Sequence, residues 1–174
     1  MKPVLIFSAL LLSQAALANN CIEFDGENYC EVWRSSPSDM QTVEFLSNGQ
    51  SLESWSTMIT VRKYPGKSAL NQVIPDYIGS VRPMFALKPD VLQPDNSAHL
   101  EEVYFRMLLL APNKSHYEYV INKFYRDDDS SVKSIFYSHR IPFSATIDYD
   151  EVTENRNNWT RQLQSQSIDE YLKQ

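Results

Sequence analysis

Three stretches in the second half of the chain decide the fold: EEVYFRMLLL (101–110), YEYVINKFYR (117–126) and VKSIFYSHRI (132–141). All three are rich in aliphatic and aromatic residues of the kinds that favour β-strands. The connections between them are too short for a crossover, so consecutive strands must run antiparallel. The sequence therefore predicts an antiparallel meander at the centre of the domain.

Working outward toward the N-terminus, two more strands are predicted at 43–46 and 57–64, with one helical turn at 52–55 between them. Residues 68–85 carry apolar side chains at three- and four-residue steps, which predicts a helix. Pro75 lacks an amide donor, so this helix should kink or break near 71–74. The following residues, up to position 98, include two prolines and are interpreted as an irregular connection.

The last predicted helix lies beyond the meander. Asp148 and Glu151 have the spacing of a capping box, in which each side chain accepts from a backbone amide of the first turn. Its buried stripe is predicted to contain Tyr149, Val152, Arg156, Trp159 and Leu163. The predicted fold class is therefore α+β, with a single antiparallel sheet, helices packed on one face, and a disulfide-closed hairpin at an edge.

That N-terminal hairpin is centred on Asp25-Gly26, a dipeptide that favours a type I′ turn. Folding the chain about this turn places Cys21 directly opposite Cys30. The spacing of these two cysteines fits neither a redox Cys-x-x-Cys motif nor a zinc pattern. We therefore expect a structural disulfide between them.

The first 18 residues have the features of a secretory signal peptide. Lys2 supplies the positive charge, the segment 4–12 is apolar, and Ala16-Leu17-Ala18 offers a small-x-small cleavage site. The apolar run is too short to span a bilayer, and Cys21 does not directly follow the cut as a lipid-anchored cysteine would. We expect cleavage after Ala18, a single α+β domain at 19–174, and no membrane insertion afterwards.

The segment Gly49-Gln50-Ser51-Leu52-Glu53-Ser54-Trp55-Ser56-Thr57-Met58-Ile59-Thr60-Val61 follows the pattern G-x-x-L-x-x-W-x-x-M-x-T-V. It resembles a segment of a family of small exported bacterial proteins of unassigned function. The resemblance implies a periplasmic location and brings no catalytic residue with it. In physical terms, the pattern predicts a turn that sends Leu52 and Trp55 to the core, followed by a strand.

Composition excludes several function classes. The chain has a formal net charge of −6 and no run of Lys or Arg, which argues against nucleic acid and anionic membranes as partners. No phosphate-binding loop or nucleophile elbow is present, and the three histidines are far apart without a second ligand at metal spacing. No metal or cofactor is therefore expected. The acidic residues at 127–129 are interpreted as a hairpin turn rather than a calcium loop.

Strand alternation assigns a set of tyrosines and cations to one face of the meander, where rings and fixed donors could recognise a ligand. The candidate binding residues are Tyr104, Arg106, Tyr119, Lys123, Tyr137 and His139. If these tyrosines instead packed beneath the predicted helix 68–85, the sequence would name no site. The cations among the rings favour an anionic ligand.

We expect a noncatalytic periplasmic binding or interaction protein whose partner is an unknown protein or a small anionic ligand. The alternative is a small periplasmic hydrolase or transferase whose acid and base meet only in the folded chain. The candidate pair is His139 with Glu101, Glu102 or Glu118.

Overall fold

The structure is a computed structural model, and it describes residues 20–92, 101–126, 131–144 and 146–172. The proposed signal peptide and the acidic turn at 127–130 lie outside these ranges. The described residues form one eight-stranded antiparallel sheet and two α-helices. The strands are β1 (Cys21–Phe24), β2 (Glu27–Ser35), β3 (Gln41–Ser47), β4 (Thr57–Tyr64), β5 (Phe85–Leu92), β6 (Glu101–Leu110), β7 (His116–Arg126) and β8 (Val132–Pro142). The helices are α1 (Ile74–Val81) and α2 (Asp150–Ser165).

The strand order is β1-β2-β3-β4-β8-β7-β6-β5, so each half of the chain forms a meander and β4 pairs with β8 at the join. The predicted meander of β6, β7 and β8 is confirmed. The disulfide is also confirmed, because Cys21 and Cys30 are register partners in β1 and β2 and are bonded to each other. The hairpin that they close lies at one edge of the sheet.

Each face of the sheet is covered by its own helix. On β7, Tyr119 and Ile121 pack in one cluster with Trp159 of α2. Val120 and Phe124, which alternate with them, pack in the other cluster with side chains of α1. The prediction that the helices pack on one face is therefore wrong. Both faces of the central strands are apolar, so both need a cover, and periodicity alone cannot assign a helix to a face.

Pro75 shapes the approach to α1. A short 3-10 turn at Leu70–Gln72 precedes the helix, and the chain changes direction at Val73 before α1 begins. The predicted break near 71–74 is thus confirmed. Pro75 itself lies in the first turn of α1, where a missing amide donor costs nothing.

Two local predictions are wrong. Residues 85–92 form the edge strand β5 instead of an irregular connection. The register of β5 against β6 shifts twice. Because β5 is an edge strand, it can accommodate Pro89. Residues 51–54 form a tight turn closed by a bridge between Ser51 and Ser54, so Leu52 is exposed rather than in the core. The strand predicted at 43–46 extends over the whole of β3.

The start of α2 also differs from its prediction. The helix begins at Asp150, and no side-chain hydrogen bond caps its N-terminus. Asp148 instead accepts a hydrogen bond from the backbone amide of Asp150 at 3.1 Å. Val152, Trp159 and Leu163 are buried as predicted, while Arg156 is exposed.

Candidate functional site

The six candidate binding residues do share one face of the sheet, as the strand register shows. Tyr119 is the partner of His139, and Tyr104 is the partner of Lys123. This face lies beneath α2 and the segment that follows it, not beneath α1. All six except Arg106 are buried. The six residues lie in three separate environments around α2.

The first environment is a cavity of about 590 Å³, which we call the His139 cavity. It is bounded by the β1–β2 hairpin, the start of β4, the end of β8 and the first half of α2. Side chains that meet there from distant parts of the sequence include Asp25, Tyr29, Thr57, Tyr137, His139, Glu151 and Trp159.

His139 is the most chemically distinctive residue of this cavity. It is 8% exposed, and its ring stacks on that of Trp159 at 5.4 Å between centroids. Its Nε2 lies 3.6 Å from Oε2 of Glu151, while its Nδ1 is buried and has no hydrogen-bond partner among the described residues. Burial lowers the pKa of His139, and the Glu151 carboxylate acts in the opposite direction. The ring is therefore neutral at neutral pH.

Asp25 holds the hairpin against α2 and so fixes one wall of the cavity. It adopts a positive φ of 53°, which the Asp25-Gly26 turn requires. Its carboxylate accepts hydrogen bonds from Trp159 Nε1 at 2.7 Å and Asn158 Nδ2 at 2.9 Å. Gln162 Nε2 donates to the same carboxylate at 3.1 Å. Asp25 is thus fully engaged in positioning Trp159.

Hydroxyl groups lie on the sheet side of the cavity. The Tyr29 hydroxyl donates to Thr57 Oγ1 at 3.1 Å. Thr57 is in turn the register partner of His139. Burial raises the pKa of both Tyr29 and Tyr137, so their hydroxyls keep their protons and can serve as donors.

The rim of the cavity is acidic. The exposed carboxylates are those of Asp25, Glu27, Asp148, Asp150 and Glu151. Among the described residues, Arg140 is the one permanent cation in the lining. Its guanidinium lies 3.6 Å above the Trp55 ring and donates to the Trp55 carbonyl at 3.3 Å. The electrostatic field at this rim therefore favours neutral or cationic groups over anions.

The second environment is a cleft of about 350 Å³ on the other side of α2, which we call the Tyr119 cleft. It lies between β5, β6 and the first turns of α2. Tyr119 and Arg106 both line it. The two cavities share Val152, so the first half of α2 separates them.

The third environment is inside the protein. Lys123 and Glu102 side chains are each 1% exposed, with Nζ and Oε1 3.8 Å apart. Lys123 Nζ donates to the Gln164 carbonyl at 2.8 Å, and Tyr104 donates its hydroxyl to Glu102 at 2.9 Å. Lys123 thus holds α2 against the sheet, while the Tyr104 hydroxyl is used within β6 on the Glu102 carboxylate.

The carboxylate next to His139 is not one of the three expected. Glu118 lies on the opposite face of β7, where Arg140 is its register partner, and Glu101 also alternates onto that face. Glu102 is occupied by Lys123. Glu151 takes this position because α2 crosses the sheet there. In the sequence, the capping-box spacing already accounts for Glu151, so no separate pattern indicates its pairing with His139.

Within the described ranges, no group of three His, Cys, Asp or Glu side chains is placed to hold a metal ion. The helices of those same ranges include none that is both long and apolar enough to cross a membrane.

A protein-family model matches residues 17–174, nearly the whole chain. The chain belongs to this uncharacterised family. The family match extends over both cavities and over the segment 49–61. Neither the curated proteins nor the solved structures include a match to the chain.

Proposed function

We propose that the protein is an exported, noncatalytic binding protein of the periplasm that holds a small ligand in the His139 cavity. The volume of the cavity, about 590 Å³, falls in the range that suits small molecules. Donors and acceptors from the hairpin, β4, β8 and α2 converge on it. A site of this kind needs no reactive group, only fixed polar groups on a rigid wall.

The observation that carries the proposal is the unpartnered Nδ1 of His139. A buried polar atom without a hydrogen bond costs roughly 1–3 kcal/mol in stability. Natural proteins keep such atoms rarely, and a ligand that bonds to Nδ1 would remove the cost. The stacking on Trp159 fixes the His139 ring in the wall of the cavity.

Native mass spectrometry on the protein isolated from its own periplasm tests the proposal. We expect a small molecule to be retained by the wild-type protein and lost from a His139→Gln variant. His116→Gln is the matched control, because His116 lies at the start of β7 and does not line the cavity. Titration of the isolated compound should shift the Trp159 indole N–H resonance in the NMR spectrum. Retention of the same compound by His139→Gln would contradict the proposal.

The expected location has its own test. A protein cleaved after Ala18 should be recovered from the periplasmic fraction with Asn19 as its first residue, which intact mass measurement reads directly. Recovery from the cytoplasm with residues 1–18 attached would contradict export while leaving the cavity itself unaffected.

A second candidate function, a small hydrolase or transferase, is favoured by the approach of His139 to Glu151 at 3.6 Å inside a cavity. The neutral ring could act as a general base, with Glu151 stabilising its protonated form. Chromogenic ester, phosphate and glycoside substrates provide the test. Turnover that falls in both His139→Gln and Glu151→Gln, with a pH–rate profile that changes in step, would replace the binding proposal with this one.

A further inference from the structure

The Tyr119 cleft has the opposite electrostatic character from the His139 cavity. Lys88, Arg106 and Arg156 line it together with a single carboxylate, that of Asp90, which leaves two positive charges in excess. The chain as a whole carries a formal charge of −6. A local excess of positive charge in an acidic protein therefore marks this cleft as a distinct place for negative groups.

The Tyr119 side chain reaches the floor of this cleft. The residue is 8% exposed and its hydroxyl is buried; Arg106 donates toward the hydroxyl oxygen, while the O–H proton has no acceptor among the described residues. Burial raises the pKa of Tyr119, with Arg106 and Arg156 acting in the opposite direction. The hydroxyl is thus a protonated donor that lies within the electrostatic reach of two guanidinium groups.

The two arginines differ in how free they are. Arg106 Nη2 lies 2.5 Å from Asp90 Oδ2, so this guanidinium is held in place on the sheet by an ion pair. Arg156 is exposed and makes no ion pair with any residue that the structure describes. It can therefore bind an incoming anion without giving up a protein partner.

We infer that the Tyr119 cleft binds an oxyanion group, a carboxylate or a phosphate, of a small ligand. The Tyr119 hydroxyl donates one hydrogen bond to it from the floor, and Arg156 donates from α2 in the two-pronged geometry that suits such groups. Leu108 and Val152, which also line the cleft, contact the apolar remainder of the ligand. The inference uses none of the polar groups of the His139 cavity.

Isothermal titration calorimetry at low ionic strength with succinate and inorganic phosphate tests the inference. We expect at least one of the two probes to bind, and which one binds identifies the oxyanion. Tyr119→Phe, which removes only the hydroxyl, and Arg156→Gln should each weaken binding about tenfold, and added salt should weaken it further.

Two variants serve as matched controls. Tyr64→Phe also removes a buried hydroxyl, one without a hydrogen-bond partner among the described residues and on the face covered by α1. Arg161→Gln removes an exposed cation of α2 that does not line the cleft. Both should bind the probe as the wild type does, and so should His139→Gln, which separates this inference from the proposed function. Failure of both probes to bind with a Kd below about 10 mM would overturn it, and so would binding by Tyr119→Phe and Arg156→Gln that is as tight as binding by the wild type.

Discussion

Lys123 is a charged residue that is buried in the protein core. The charge of its ammonium group is balanced by the buried Glu102 carboxylate, and the group donates a hydrogen bond to the Gln164 carbonyl. Three elements, β6, β7 and α2, thus meet at one cation. Burial lowers the pKa of Lys123 and Glu102 raises it. The pair ties the last turn of α2 to β6 and β7, and this is a structural task rather than the ligand contact expected from the sequence.

We predict that Lys123→Met lowers the free energy of unfolding by roughly 3–5 kcal/mol, because it removes the buried positive charge that lies 3.8 Å from the buried Glu102 carboxylate. Urea unfolding at neutral pH measures the change. The double variant Lys123→Met, Glu102→Gln should recover most of the loss, since it removes both charges. A loss below about 1 kcal/mol in the single variant would mean that the Glu102 charge is relieved by other groups.

His139 should make stability depend on pH. Its pKa is lowered in the folded protein, so the unfolded chain takes up a proton first as the pH falls. Protonation therefore favours unfolding, and the free energy of unfolding should fall as the pH drops from about 6.5 to about 5, where carboxylates begin to contribute. The His139→Gln variant should show a shallower slope over this range. Equal slopes in the wild type and in His139→Gln would show that His139 is not held in its neutral form. Part of the slope in both proteins belongs to His116, whose pKa is also lowered.

At the scale of elements, the hairpin and α2 stabilise each other. Asp25 at the turn receives three side-chain hydrogen bonds from α2, and the ring of Trp159 packs at 4.9 Å from that of Tyr137. Gln166 Nε2 adds a bond to the Glu23 carbonyl at 2.9 Å. The disulfide closes the same hairpin at its open end. The hairpin wall of the His139 cavity is therefore held at one end by the disulfide and at the turn by the hydrogen bonds to α2.

We predict that Trp159→Ala lowers the free energy of unfolding by roughly 3–5 kcal/mol, the cost of removing a large buried side chain. It also removes one of the three side-chain donors to Asp25. Chemical denaturation followed by circular dichroism measures the loss, since the change deletes a tryptophan fluorophore. As a control, Trp33→Ala alters a tryptophan that is 41% exposed on β2 and should cost much less. Similar losses in the two variants would contradict the assigned packing.

Local signals in the sequence were sufficient for some elements and not for others. The Asp25-Gly26 turn, the cysteine register and the alternation in β6 to β8 depend on neighbours in sequence or across a tight turn, and they were predictable. The pairing of β4 with β8 joins residues 68 to 82 positions apart, and no local pattern encodes it. That pairing sets Thr57 beside His139, and the path of α2 then brings Glu151. The His139 cavity was therefore beyond sequence reasoning, although two of its residues were named.

At the scale of the whole molecule, the sheet is a layer enclosed between two helices. β4, β7 and β8 lie in its interior and are paired on both sides, while β5 is an edge strand with the exposed apolar residues Leu87 and Val91. The register of β5 against β6 is also interrupted twice. Resistance to local opening should therefore increase from β5 inward.

We predict that amide hydrogen exchange separates these layers. The amides of β7 and β8 should exchange only through global unfolding, whereas those of β5 should exchange through a lower-energy local opening. Exchange measured by NMR across a range of low denaturant concentrations distinguishes the two, because only global unfolding depends strongly on denaturant. Equal protection of β5 and β8 would mean that the sheet opens as one unit.

The bonds between Asp25 and α2 also govern how the chain is built. Asp25 precedes its three side-chain donors by 133 to 137 positions. A ribosome needs on the order of ten seconds to translate that interval. During that time the newly made hairpin has no α2 to cover Ile22 and Phe24, and these two side chains can be held by a chaperone or lost to aggregation. Of the elements that the structure describes, the one that comes first in the chain is thus among the last to be covered.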